Sequence, residues 1–76
     1  MTRLPRIRAR QLIRALQHAG FQIERSQGSH FRLKHPDGRI TSVPSHAGET
    51  LGPGLLRAIL RDTDISPDDL INLLRK

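Results

Sequence analysis

Residues 26–38, SQGSHFRLKHPDG, set two histidines and two cations among turn-forming residues. Within them His30, Arg32 and Lys34 alternate with Phe31 and Leu33. Successive side chains of a strand point to opposite faces. If Phe31 and Leu33 face a core, His30, Arg32 and Lys34 therefore share the other side, each about 6.6 Å further along. An imidazole exchanges protons near neutral pH, and two neighbouring cations can hold a phosphate while charge grows on its oxygens. The chemistry that suits this face is acid–base attack on a phosphodiester. An ordinary solvated cationic strand face fits the same pattern, because exposed His and Arg are common.

Other chemistries fit less well. Ser29 and His30 are adjacent strand residues of opposite parity, so they do not form a nucleophile–base pair. His30 and His35 also differ in parity, and His46 would need a loop to approach either. No HExxH pattern and no carboxylate pair stands near the histidines, so no catalytic metal and no cofactor is expected. His18 reads as a surface residue of a helix. Both phenylalanines have core parity and the chain has no Tyr or Trp, which leaves base stacking nearly unavailable. Recognition is expected to rest on phosphates, 2′-hydroxyls and shape. Arg25 and Arg39, near the hairpin ends, are further candidates for binding. Gly28 and Ser29 offer either backbone amides or a plain tight turn.

The elements that must position these residues can be read from periodicity. Residues 1–8, MTRLPRIR, form a basic arm without a period, and residues 9–76 form one domain. ARQLIRALQHAG predicts a helix with Leu12, Ile13, Leu16 and Ala19 inward, Arg10, Arg14 and Gln17 outward, and Gly20 ending it in a left-handed turn. Its N-cap is weak. FQIERS predicts a strand with Phe21 and Ile23 on one face, joined through the glycine of QG to SHFRLKH. HPDGR is a second turn, and ITSV a third strand whose parity is ambiguous. After a glycine-rich loop, Pro53 opens a helix with Leu55, Leu56, Ile59 and Leu60 inward. Ser66 as N-cap, Pro67 and two acids then start a short helix burying Leu70, Ile71, Leu73 and Leu74. The fold class is α+β: a three-stranded antiparallel sheet in α-β-β-β-α order, helices on one face, with a C-terminal helical extension.

Composition bounds the partners. The 76 residues carry a net charge of +6, concentrated at one end. Residues 1–46 hold nine Lys/Arg against Glu24 and Asp37, and residues 47–76 four against five acids. Such a basic half draws polyanions, nucleic acid being the commonest. No cysteine is present, which removes disulfides and thiolate chemistry. No apolar run reaches the roughly 18 residues of a membrane span, and no apolar stretch follows the basic start as in a secretory signal. A cytoplasmic protein without membrane contact is expected.

Four marks, AGF after the first helix, GSHFRLKHP in the second strand, VPSH after the third and GPGLLRAIL in the second helix, resemble the HicA (YcfA-like) family of mRNA interferase toxins over about residues 10–74. That resemblance implies a fold similar to double-stranded RNA-binding domains and RNA cleavage without metal. It also implies a cognate HicB-type antitoxin that covers the site. The histidine of the GSH motif, essential in the family, is His30 here. Gly28 and Ser29 match positions that shape its loop, and His46 matches a recurrent histidine without an assigned role. The chain departs from the pattern in its weak first N-cap and its basic arm.

The expectation is a toxin that cleaves mRNA through the 2′-hydroxyl, with Arg32 and Lys34 as phosphate contacts. Such cleavage wants both a base and an acid, and parity supplies one imidazole. His46, Lys34, or His30 acting with water are three completions, and ribosome association stays open. The alternative is a non-catalytic RNA-binding module of the same fold. Helix-turn-helix DNA recognition by residues 55–75 fits poorly, because that stretch is near-neutral and its apolar faces suit a core.

Overall fold

The computed structural model describes residues 3–46 and 48–76; Met1 and Thr2, the start of the expected arm, lie outside the described residues. Six elements follow in order: α1 (Ala9–His18), β1 (Gln22–Gln27), β2 (His30–Lys34), β3 (Ile40–Pro44), α2 (Pro53–Thr63) and α3 (Pro67–Leu74). The strands form one antiparallel sheet in the order β1-β2-β3. The helices pack on one face of it, α2 against β3, and α1 against β1, β3 and α3.

Local chemistry explains each boundary. At the start of α1 the Arg8 N–H donates to Gln11 Oε1 at 2.9 Å, half of a capping box that compensates for the missing Ser or Asp. At its end Phe21 N–H reaches the Leu16 carbonyl and Gly20 N–H the Gln17 carbonyl, each at 3.0 Å, with Gly20 at φ 102°. This is the paired closure in which a glycine takes the left-handed residue. In α3 the Ser66 hydroxyl accepts the Asp69 N–H at 3.1 Å, and Pro67, Asp68 and Asp69 fill the first turn.

The core runs between sheet and helices. Phe21, Leu12, Leu16, Leu33, Leu56, Ile59, Leu70 and Val43 are fully enclosed, each contributing about 1.5–3 kcal/mol of burial. Thr41 and Val43 settle the parity of β3: both are buried, whereas Ile40 and Ser42 look outward. The Thr41 hydroxyl donates to Asp62 Oδ2 at 3.1 Å, pinning β3 to α2.

The structure corrects four local expectations. Ile23, opposite the buried Leu33 and so on the helix side, is nevertheless 42% exposed, because β1 is an edge strand. Leu55 in the first turn of α2 is outward, at 38% exposure. In α3 only Leu70 is fully buried, with Ile71, Leu73 and Leu74 partly covered. The hairpin turn is Gly28–Ser29 rather than Gln27–Gly28, since Gln27 pairs with His30. Gly28 at φ 59° supplies the positive φ that a two-residue hairpin turn needs at its first position.

Two core residues carry no periodic signal. Ile7, in the arm, is 5% exposed, and Leu51, in the loop before α2, is 9% exposed. Leu51 N–H donates to the Ile7 carbonyl at 2.8 Å, and Arg8 bridges to Thr50. The arm is therefore fastened to the loop after β3 before it enters α1.

Candidate nucleic-acid interface and active site

The β2 alternation holds. Leu33 is fully buried and Phe31 half-buried, while His30, Arg32 and Lys34 are exposed. These three stand on the sheet face that the helices leave open. His30 is the first residue after the hairpin turn, flanked by Gln27 on β1 and Pro44 on β3. Its ring has no protein hydrogen-bond partner among the described residues, so both nitrogens are available to a ligand. Ser29 carbonyl accepts the Ser45 N–H, which ties the hairpin tip to the loop after β3.

Arg32 lies opposite Arg25 on β1 and Ser42 on β3. Two cations facing each other would repel. The β1 irregularity places Glu24 there as well, with Oε2 3.6 Å from Arg32 Nε. Lys34, opposite Gln22 and Ile40, has no such counter-ion among the described residues.

The second turn serves a different purpose. Arg39 Nε donates to Asp37 Oδ2 at 2.8 Å, its Nη1 donates to the Thr63 carbonyl, and its guanidinium sits 5.1 Å from the Phe21 ring centre. These bonds hold the β2–β3 turn, the end of α2 and the start of β1 together. Arg39 is thereby occupied in the fold, and the open face does not include it. The Arg39 side chain, followed by its backbone N–H, donates to Asp37 and holds that carboxyl below its ordinary value. His35 packs edge-on against Phe21, with ring centres 5.1 Å apart, and its Nδ1 lies 3.1 Å from both the Asp37 amide nitrogen and Asp37 Oδ1.

His46 is exposed on the loop after β3 and lines a cleft with Gly28, Ser29 and Phe31. That cleft is on the Phe31 side of the hairpin, whereas His30 projects from the opposite side of β2. Half-burial of Phe31 was not legible from parity alone, which assigns a face but not how completely the helices cover it. Among the described residues no group of three or more His, Asp or Glu side chains is gathered in metal-binding geometry. No helix among them is long and apolar enough to cross a membrane.

Comparison with curated proteins found no match. A family model described as the HicA toxin of bacterial toxin–antitoxin systems matches residues 9–65, from the first residue of α1 to the end of the turn after α2. That span includes the GSH hairpin, all three strands and the loop bearing His46. It covers well over half of the 76 residues, and the chain belongs to the HicA toxin family of bacterial toxin–antitoxin systems.

Proposed function

We propose that this toxin is a metal-independent endoribonuclease that cuts mRNA in the cytoplasm, with His30 as its acid–base group. The observation that supports this most directly is the exposed, unpartnered His30 ring, with Arg32 and Lys34 on the same face of the same strand. In the reaction His30 takes the proton of a ribose 2′-hydroxyl. The resulting oxyanion attacks the adjoining phosphorus and the bond to the 5′ oxygen breaks. The products are a 2′,3′-cyclic phosphate and a 5′-hydroxyl, the latter protonated by the imidazolium or by water on the exposed face. Arg32 and Lys34 bear on the phosphoryl oxygens as their charge grows. Gly28 and Ser29 hold the turn that presents His30, and Arg25 extends the cationic surface.

A HicB-type antitoxin is the partner that neutralises this activity, by covering a face whose side chains are cationic and open. Ribosome association would supply mRNA to the same face.

The test is purified protein incubated with RNA in the presence of a chelator. Cleavage is expected, with a drop of about 10²–10⁴-fold in His30→Ala and none on DNA of the same sequence, which lacks the nucleophile. Cutting that persists unchanged in His30→Ala removes the assignment. RNA that is bound but left intact by the native chain would point instead to a binding module.

A further inference from the structure

Phe31 lies on the helix side of β2, yet the helices do not seal it: it is half-buried and faces two adjoining hollows. The larger, of about 510 Å³, is lined by Arg8, Arg10, Ser29, Phe31, Ser45 and His46 among others. The smaller, of about 270 Å³, shares Arg10, Phe31 and Ser45 with it and continues along α1 to Arg14 and Gln17. No carboxylate lines either hollow among the described residues. The Arg10 guanidinium enters no ion pair among them. The larger cleft is within the range of about 300–1,000 Å³ typical of small-ligand sites.

A cleft lined by an aromatic residue, two arginines, a histidine and two serines, with no acid among the described residues, suits a ligand that is both anionic and flat. A nucleotide has that chemistry: phosphate for the arginines and a ring for Phe31. A base-paired nucleotide would bring its partner strand against the helix, so the cleft suits an unpaired one. The path to His30 is short. Gly28, at the hairpin tip, would meet nothing within 4 Å even with a Cβ added, so a strand can cross the tip from the cleft to the open face.

We propose that this cleft is a subsite for one unpaired nucleotide of the RNA, adjoining the bond that is cut beside His30, with Phe31 against the base and Arg8 and Arg10 on its phosphate. The proposal rests on the ribonuclease reading and deepens it. It makes the enzyme selective for single-stranded RNA and gives the basic arm and His46 a place on the substrate path. It also amends the expectation that stacking is nearly unavailable, since the aromatic surface is on the helix side rather than the open side.

The experiment uses the full chain carrying His30→Ala, so that RNA stays intact. A short single-stranded oligoribonucleotide and a blunt RNA duplex are titrated against it, with fluorescence anisotropy for affinity and NMR for the Phe31 ring protons. The single strand is expected to shift the Phe31 ring signals. Adding Phe31→Leu is expected to weaken single-strand binding about tenfold while leaving duplex binding unchanged. If Phe31→Leu does not fold, the ring shifts in the parent protein decide. Unmoved Phe31 rings alongside shifted Arg32 and Lys34 amides overturn the subsite but leave the ribonuclease reading standing, as does equal weakening toward both RNAs. Absence of binding to either RNA overturns both.

Discussion

Glu24 Oε2 lies 3.6 Å from Arg32 Nε on the open face of the sheet, in the segment where β1 departs from regular register. Both side chains are about half exposed, and such pairs contribute at most about 1 kcal/mol to stability. The larger effect is on ligands, because Glu24 competes with a phosphate for Arg32. Glu24→Gln is expected to tighten RNA binding by up to about fivefold at low salt. The gain should fade as salt screens the surface. Binding of single-stranded RNA by the His30→Ala chain across a salt series measures both effects, and an unchanged affinity at low salt contradicts the competition.

Arg39 should behave differently from the cations of the open face. Its bonds to Asp37 and Thr63 and its position over Phe21 join three parts of the fold. Arg39→Ala is expected to cost about 2 kcal/mol, lowering Tm by about 10 °C in a domain of this size. RNA cleavage per folded molecule should stay close to native. Loss of cleavage without loss of Tm would place Arg39 on the substrate instead.

Asp37 makes the same turn sensitive to acid. Its carboxyl is held below the ordinary value of 3.8, chiefly by the Arg39 side chain. The folded state therefore binds this proton less readily than the unfolded chain. The resulting stability is fully present above the ordinary value and disappears as pH falls below it, through the folded value. Asp37→Asn should melt below the native protein near neutrality, and the two Tm curves should converge in acid. Parallel curves down to about pH 2 would show that the carboxyl is not stabilised by folding.

Gly20 is expected to resist substitution for two separable reasons. It stands at φ 102°, and a Cβ there would lie 2.8 Å from His35 Nε2. The backbone conformation alone costs an L-residue about 1–2 kcal/mol. In Gly20→Ala with His35→Ala the steric part is relieved, so the double substitution should cost less than the sum of the singles by about 0.5 kcal/mol or more. Urea unfolding of the four proteins measures this, and strict additivity would show that the ring moves aside freely.

α3 lies beyond the segment that matches the family model, yet Leu70 is completely enclosed and the helix packs on α1. Leu70→Ala should cost about 2–5 kcal/mol, a large share of the roughly 5–15 kcal/mol that holds a domain together. Chemical denaturation provides the measurement. A cost under about 1 kcal/mol would mean that the site collapses without a cavity.

The parts of the fold that follow from neighbours along the chain were readable from the residues alone. Period-two alternation placed His30, Arg32 and Lys34 together, Gly20 marked the end of α1, and Ser66-Pro67-Asp68-Asp69 marked the start of α3. What escaped depends on distant partners. Ile7 and Leu51 meet across a long stretch of chain, and neither belongs to a repeating pattern. Ile23 follows the alternation but sits at an edge that the helices do not reach. Arg39 looks like any surface cation until α2 brings the Thr63 carbonyl to it. In the candidate site the open-face residues were legible, whereas the hollow beside Phe31 arises where α1, the hairpin tip and the loop after β3 converge.

His30 and Phe31 are consecutive in the chain and look out on opposite sides of one ribbon. Blocking the histidine side therefore leaves the aromatic side reachable, unless the blocking protein also wraps around the glycine tip. An inhibitor confined to one side would yield an assembly that no longer cuts but still grips RNA, whereas a wrapping inhibitor would release it. RNA retention by the inhibited assembly thus reports how far the inhibitor reaches.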